Sequence, residues 1–270
     1  LAYSAALQLL SSGLVRPDEI DYVLFCTQTP DYPLPTSACV LQHRLGIPTT
    51  AGALDFNLGC SGFVYGLSLC RGLIESGQAR SILLLTAETY SKLLAPEDKA
   101  VRTIFGDGGA ATLVQVAQEG EGGIGNFVFG TDGAGARNLM CVRGGFRAPG
   151  GSDPIDLAMN GPEIFNFTIK AVPAAVNELL LRDGSKLGDV DLFVFHQANS
   201  YMLEHLRRKI GIPAEKFVIA LEQTGNTVSA TIPIALRMAA ERRQLMPGMK
   251  VMLVGFGVGY SWAAGFVRWT

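Results

Sequence analysis

The sequence is poor in the features that would tie it to a metal, a membrane, a nucleic acid or an oxidising compartment. Its 270 residues include only three histidines and five cysteines. With no Cys-x-x-Cys pair and no mixed Cys/His cluster, metal ligation is not expected. An odd number of cysteines without framework spacing fits a reducing cytoplasm better than a secreted disulfide scaffold. No apolar run approaches the ~20 residues that span a bilayer, and no signal peptide is visible. Net charge is −2 with no long basic stretch, so neither nucleic acid nor membrane is expected as a partner. An initiator methionine and an opening strand are also missing. The chain starts at Leu1 inside an amphipathic pattern (Leu1, Ala5, Leu7, Leu10), and an N-terminal piece is expected to lie outside it.

What is present is a hydrophobic content of 48%, sufficient for one large α/β domain or two fused halves. The second option is favoured by an internal repeat. Ile20 to Phe25, a loop, a helix and Leu45-Gly46-Ile47-Pro48 are matched by Val190 to Phe195, His196-Gln197-Ala198-Asn199, a helix and Ile210-Gly211-Ile212-Pro213. The expected halves are residues 1–118 and 119–270. Two copies of a strand-helix-strand-helix-strand unit give two mixed sheets related by a pseudo-twofold, with helices between and outside them. Cys60 and Asn226 follow the two prolines by 12 and 13 residues, each at an expected strand-to-helix corner. Thr36 or Ser37 is expected to cap the helix ending at Arg44. The stretch 131–154, with Arg137, Arg143 and Arg147, reads as a long loop.

Cys60 is the residue the chain is organised around. It lies between the apolar run Ala53, Leu54, Phe56 and the helical pattern Phe63, Leu67, Cys70, Leu73, Ile74. At a helix N-terminus, free N–H groups and the helix dipole are expected to lower the thiol's pKa. Gly59, Ser61 and Gly62 let a substrate carbonyl approach the backbone, as acyl transfer requires. By residue type alone a cysteine is a small buried hydrophobe, the reading kept for Cys39 and Cys70 in helices, Cys26 at a strand end and Cys141 in a loop. His196 read alone is a core histidine with a satisfied ring, and Asn226 in Gly-Asn a turn residue. Brought together, Cys, His and Asn suggest thioester chemistry: a thiolate that takes an acyl group and two donors for a second carbonyl.

These residues, with Asp55 to Tyr65, Phe105-Gly106-Asp107-Gly108, Gly225-Asn226-Thr227 and Gly255 to Trp262, resemble the β-ketoacyl-acyl-carrier-protein synthase III family of the thiolase superfamily. His196 follows Cys60 by 136 residues and Asn226 follows His196 by 30, also as in that family. The resemblance implies a layered αβαβα fold and a cytoplasmic homodimeric acyltransferase without a cofactor, whose substrates are acyl-CoA and malonyl-acyl carrier protein. It implies Cys60, His196 and Asn226 as catalytic residues and the N–H groups of Cys60 and Val258 as the oxyanion hole. Phe165, Asn199, Phe256, Leu34 and Lys99 would contact substrate, Leu34 across a dimer interface, and Arg208 and Lys209 would attract the carrier protein. Arg208 and Lys209 are otherwise ordinary cations at a helix C-terminus. Tyr201 and Lys99 stand where many members carry arginine, and Leu58-Gly59 replaces a common alanine pair. Competing readings are an acyltransferase making an ester or amide, a condensing enzyme of secondary metabolism, a non-catalytic partner subunit and a Cys-His-Asn hydrolase.

Overall fold

Alternation along the strands decides how the layers stack. In the strand Ser81–Glu88 every residue is buried, with Ile82 and Leu84 on one side and Leu83 and Leu85 on the other. A strand buried on both faces must have structure on both faces. The computed structural model, which describes residues 1–117, 122–149 and 156–270, supplies it. The expected boundary between halves at 118/119, and part of the stretch 131–154, fall outside the described residues.

The first sheet contains β1 (Tyr22–Cys26), β2 (Gly52–Phe56), β3 (Ser81–Glu88) and β4 (Gly108–Gln115) in the order β2-β1-β3-β4. The first three strands are parallel and β4 is antiparallel to β3. Helices α1 (Ala2–Ser11) and α2 (Ser37–Arg44) pack on its outer face, where Val23, Phe25, Leu83 and Leu85 meet Ala6, Ala38 and Leu41. Helix α3 (Gly62–Glu75) covers the inner face, and α4 (Lys99–Arg102) is a single turn between β3 and β4.

The second sheet contains β5 (Ile124–Thr131), β8 (Leu192–Phe195), β9 (Lys250–Gly257) and β10 (Ser261–Arg268), in the order β5-β10-β9-β8. Before β8 come the short hairpin β6 (Leu139–Cys141) with β7 (Leu157–Met159), and the long helix α5 (Gly161–Asp183). α5 and α6 (Ser200–Ile210) cover the outer face of this sheet, against Phe193, Phe195, Met252 and Val254. Its inner residues Leu192, Val194, Val251 and Leu253 share one core with Leu24, Ile82 and Leu84 of the first sheet, with α3, and with Ile232, Ala235 and Ala239 of α7 (Thr231–Glu241). The result is five layers, αβαβα, with α3 and α7 in the middle.

The repeat in the sequence reappears as repeated hydrogen bonds. Asp21 receives the Ser81 N–H at 3.0 Å while its own N–H donates to Ser81 O, and Asp191 does the same with Lys250 at 2.8 Å. Arg16 N–H to Glu19 and Lys186 N–H to Asp189 are a second matched pair, both 2.8 Å. The copies diverge before Asn226, where the strand equivalent to β2 shrinks to an isolated bridge between Phe193 and Phe217. The expected strand-to-helix corner at Asn226 is therefore a loop followed by a 3₁₀ turn, Val228–Ala230.

Three further expectations are corrected. Cys141 ends β6 rather than lying in a loop. α5, with 23 residues and a mean hydropathy of 1.3 in its most apolar window, is long and apolar enough to cross a bilayer by length and composition. It is instead a core helix whose stripe Val172, Val176, Leu179 and Leu180 is buried on the second sheet. Finally, neither Thr36 nor Ser37 caps α2 with its side chain. The Asp55 carboxylate on β2 does so, accepting from Ser37 N–H and Ala38 N–H at 2.7 Å each. This charge-assisted cap ties α2 to the strand leading to Cys60, so Asp55→Ala should lower unfolding stability by about 1–2 kcal/mol. An unchanged urea midpoint would show that the cap contributes nothing.

Candidate active site

Parallel strands run their C-terminal ends toward the same edge of a sheet, and sites in α/β folds form there. β2, β3, β8 and β9 deliver Cys60, Glu88, His196 and Val258 from or just beyond such ends. Cys60 occupies the turn from β2 into α3 and is buried. The turn closes through Gly62 N–H to Gly59 O at 2.9 Å. Gly257 at the end of β9 approaches so near that an added Cβ would stand 2.9 Å from Cys60 Cβ and 3.0 Å from its Sγ. Only glycine leaves the thiol its space. A buried hydroxyl pair, Ser61 Oγ and Ser261 Oγ at 2.7 Å, links this turn to the next residues, and Ser261 Oγ also donates to Val258 O at 2.8 Å. The two backbone segments expected to form an oxyanion hole are thus joined by side chains. Around the thiol, Tyr90, Val101, Leu139, Leu157 and Val228 form an apolar wall.

His196 follows β8 directly. Its main-chain N–H continues the ladder to Val254 O at 2.8 Å, and its ring meets Phe256 edge-on at 5.4 Å. Nδ1 is 2.8 Å from Thr231 Oγ1, and Nε2 is 3.5 Å from Asn226 Nδ2. Burial pulls its pKa down to about 3, so the imidazole is neutral throughout the physiological range. Asn226 is fixed by its own backbone, which donates to Ile104 O at 2.9 Å and accepts from Gly106 N–H at 3.0 Å. Its Oδ1 accepts from Val228 N–H at 2.9 Å, which turns Nδ2 toward His196. The structure therefore brings His196 and Asn226 into contact and sets Cys60 beside Val228, in the turn that follows Asn226.

The expectation of a lowered thiol pKa is not met. Burial, with the nearby Glu88 carboxylate adding to it, pushes Cys60 up to about 12. Desolvation of a thiolate outweighs what the turn's N–H groups return. The resting Cys60 is accordingly a protonated thiol.

Glu88 is a site residue that the sequence reading missed. It closes β3, is 1% exposed, and accepts from Gln28 N–H at 3.0 Å, Thr29 Oγ1 at 3.1 Å and Ser229 Oγ at 2.8 Å. Burial nevertheless pushes its pKa up to about 7. The only available signal was a lone acidic residue ending an otherwise apolar strand. Tyr90 beside it donates to Gln28 Oε1 at 2.5 Å.

The remaining expected site residues are more dispersed. Phe165 on α5 stacks on Tyr201 and meets His205 edge-on. Asn199 is the N-cap of α6, its Oδ1 accepting from Met202 N–H at 2.8 Å. Ser200, Tyr201, Glu204, His205, Arg208, Lys209 and Ile219 line a surface cleft of about 1130 Å³. Arg208 pairs with Glu204 at 2.8 Å. Phe256 is fully buried, and its ring supports His196 rather than an open wall. Lys99 is exposed at the start of α4, and Leu34, 83% exposed, lies on the surface loop between β1 and α2. Within one chain neither joins the Cys60 cluster.

Five alternating layers with two duplicated sheets, and a buried cysteine beside a His–Asn pair at the strand ends, define a thiolase-like condensing enzyme. Residues 54–133 match the family described as 3-oxoacyl-[acyl-carrier-protein] synthase III, and residues 180–269 match its C-terminal counterpart. The β-ketoacyl-[acyl-carrier-protein] synthase III 3 of Streptomyces coelicolor is 40% identical, across all of this chain and 82% of that protein. The synthase III of Caldanaerobacter subterraneus is 34% identical with the same coverage. A crystal structure of a 3-oxoacyl-(acyl-carrier-protein) synthase III superposes with TM-score 0.97 at 53% identity, covering the whole of this chain and 84% of that one. The chain belongs to the 3-oxoacyl-[acyl-carrier-protein] synthase III family, acyltransferases of the condensing type that act in fatty-acid initiation.

Two of the buried titratable groups, Glu88 and His196, give opposite pH dependences. Glu88, at about 7 in the fold against 4.5 unfolded, stabilises the fold fully below pH 4.5, and that contribution is lost as pH rises through 7. His196, at about 3 against 6.5, destabilises as pH falls from 6.5 toward 3. Glu88→Gln keeps the neutral form at every pH. Relative to wild type it should gain up to roughly 3 kcal/mol between pH 4.5 and 8. Parallel stability-versus-pH curves for the two proteins would show that Glu88 is ionised in the fold.

Proposed function

We propose that Cys60, His196 and Asn226 divide the reaction into two stages. In the first, Cys60 Sγ attacks the carbonyl carbon of an acyl-CoA. The carbonyl oxygen takes up negative charge and is held by the N–H groups of Cys60 and Val258, and the CoA thiol departs with the proton that the cysteine gives up. In the second, malonyl-acyl carrier protein enters, its carboxylate leaves as carbon dioxide, and the electron pair of the broken bond becomes an enolate. The enolate oxygen accepts hydrogen bonds from His196 Nε2–H and Asn226 Nδ2–H, and its carbon attacks the acyl-cysteine, releasing the 3-oxoacyl product and a Cys60 thiolate that takes up one proton from solvent to restore the thiol.

The observation that carries this reading is the His196–Asn226 pair: a neutral imidazole and a side-chain amide 3.5 Å apart, the amide anchored so that nitrogen faces the ring. Two neutral donors stabilise an anion without titrating near neutral pH. Phe165, stacked on Tyr201 of the cleft, and Asn199, which precedes Ser200 of its lining, fit the path of a pantetheine arm, with Phe256 as the prop behind His196 and Lys99 toward the CoA phosphates. Arg208 and Lys209, at the rim of that cleft, fit an acidic carrier protein, with salt-dependent affinity. The exposed Leu34 loop fits a homodimer interface at which it reaches the partner's acyl pocket. The halves 1–118 and 119–270 contribute the nucleophile and the donor pair respectively, the substrates replace any cofactor, and the compartment is the cytoplasm.

One observation favours a second reading, a condensing enzyme that primes polyketide chains. The priming β-ketosynthase of the R1128 polyketide pathway superposes with TM-score 0.90 at 29% identity, over all of this chain and 81% of that one. Intact-protein mass spectrometry after exposure to a panel of acyl-CoAs, followed by a chase with malonyl-acyl carrier protein, tests both. Wild type should gain one acyl group and lose it as 3-oxoacyl product. Cys60→Ser should gain nothing. Asn226→Ala should load but condense about 10²–10³-fold more slowly. Condensation by Asn226→Ala at the wild-type rate would overturn the enolate role, and the donor that loads best would separate fatty-acid from polyketide priming.

A further inference from the structure

A neutral imidazole carries one ring proton, and donation from Nε2 requires it to sit there. The other nitrogen, Nδ1, must then accept a hydrogen bond, since a bare nitrogen buried without a donor is costly. The neighbour of Nδ1 is Thr231 Oγ1 at 2.8 Å, and the same oxygen lies 3.1 Å from the Val228 carbonyl. A hydroxyl has one proton and can satisfy only one of these two acceptors. If it donates to Val228 O, Nδ1–H must donate to Thr231, and Nε2 is left bare as an acceptor for Asn226. If it donates to Nδ1, Nε2 carries the proton.

Three observations decide between the two arrangements. The Val228 carbonyl already accepts the main-chain N–H of Thr231, which closes the 3₁₀ turn ahead of α7, so it has no need of the hydroxyl. The contact to Nδ1 is the shorter one. Asn226 Nδ2 and His196 Nε2 stand 3.5 Å apart, too long for a good hydrogen bond and suited to two donors awaiting a common acceptor. Thr231 is 2% exposed and is the first residue of α7.

We propose that Thr231 is a positioning residue that sets the tautomer of His196: its hydroxyl donates to Nδ1, places the ring proton on Nε2, and so makes His196 and Asn226 a matched pair of donors. This rests on the reading of that pair as the enolate site. Thr231 touches no substrate and acts only through the ring. It belongs to the decarboxylating stage, and the loading of Cys60 does not depend on it.

The test combines ¹⁵N NMR of the three histidines with stage-resolved kinetics. In wild type, His196 should show a protonated Nε2 and an unprotonated Nδ1 at neutral pH. A protonated Nδ1 would overturn the proposal without any mutant, and this measurement is independent of the enolate reading. Thr231→Val should lose the Nε2-protonated signature and condense at least about 10-fold more slowly, while loading Cys60 at the wild-type rate. Thr231→Ser should restore both signature and rate. If Thr231→Val keeps the wild-type spectrum and condensation rate, the assignment is wrong. If Asn226→Ala condenses normally while the wild-type spectrum shows Nε2–H, the tautomer stands and the enolate reading fails instead.

Discussion

One short piece of main-chain pairing holds the site together. Asn226 N–H donates to Ile104 O, and Gly106 N–H donates to Asn226 O, so a residue of the second half is laced into the loop that opens β4 of the first. The approach is so close that a Cβ on Gly106 would stand 2.1 Å from the Thr224 carbonyl, which explains why Phe105-Gly106-Asp107-Gly108 carries glycine there. Two more bonds cross between the halves nearby, Ser229 to Glu88 and Ser61 to Ser261. The apolar core shared by α3, α7 and both sheets presses the halves together but is non-directional. These polar contacts convert that packing into a fixed position for the thiol, the imidazole and the amide.

Burial then sets the protonation states. The same desolvation that keeps His196 neutral raises Cys60 and Glu88, so all three are uncharged at rest near or below neutral pH. A site without fixed charge does not hold water strongly. Any negative charge that develops on a substrate oxygen meets neutral dipoles whose interactions are strengthened by the low dielectric. The thiol's high pKa keeps it protonated across the physiological range, which also protects it from oxidation.

Much of this was legible in the sequence because it is written in local periodicity. The apolar runs Ile82 to Leu85 and Leu192 to Phe195, the glycine stops after α2 and α6, and the repeated Gly-Ile-Pro set the strands, helices and duplication, and thereby placed Cys60 and His196 at strand ends. What stayed hidden were partners distant in sequence. Asp55 caps a helix 17 residues earlier, Glu88 is held by a serine 141 residues away, and Thr231 meets a ring 35 residues away. No pattern in the chain encodes those pairings before it folds. The thiol's pKa was misread for a related reason: the helix N-terminus is a local feature, whereas the desolvation that opposes it comes from Tyr90, Val101, Leu139 and Val228, gathered from both halves.

The point at which the two copies diverge is also where their chemistry divides. In the first copy α3 begins almost directly after Cys60, and its N-cap residue Ser61 offers no side-chain bond to the helix, the turn being closed by main-chain bonds alone, Gly62 N–H to Gly59 O among them. In the second, the strand before Asn226 has dwindled to one bridge, and a 3₁₀ turn is inserted before α7. That turn presents Val228 N–H to Asn226 Oδ1 and Thr231 Oγ1 to His196 Nδ1. One ancestral corner thus serves two ends. In the first copy it holds the thiol; in the second, tightened by an extra turn, it uses its polar groups on its own side chains and fixes an amide beside an imidazole. Loss of a few β hydrogen bonds in the second copy is the structural cost of that orientation, and it explains why the repeat is clearest in the outer parts of the two sheets and faintest at the catalytic edge.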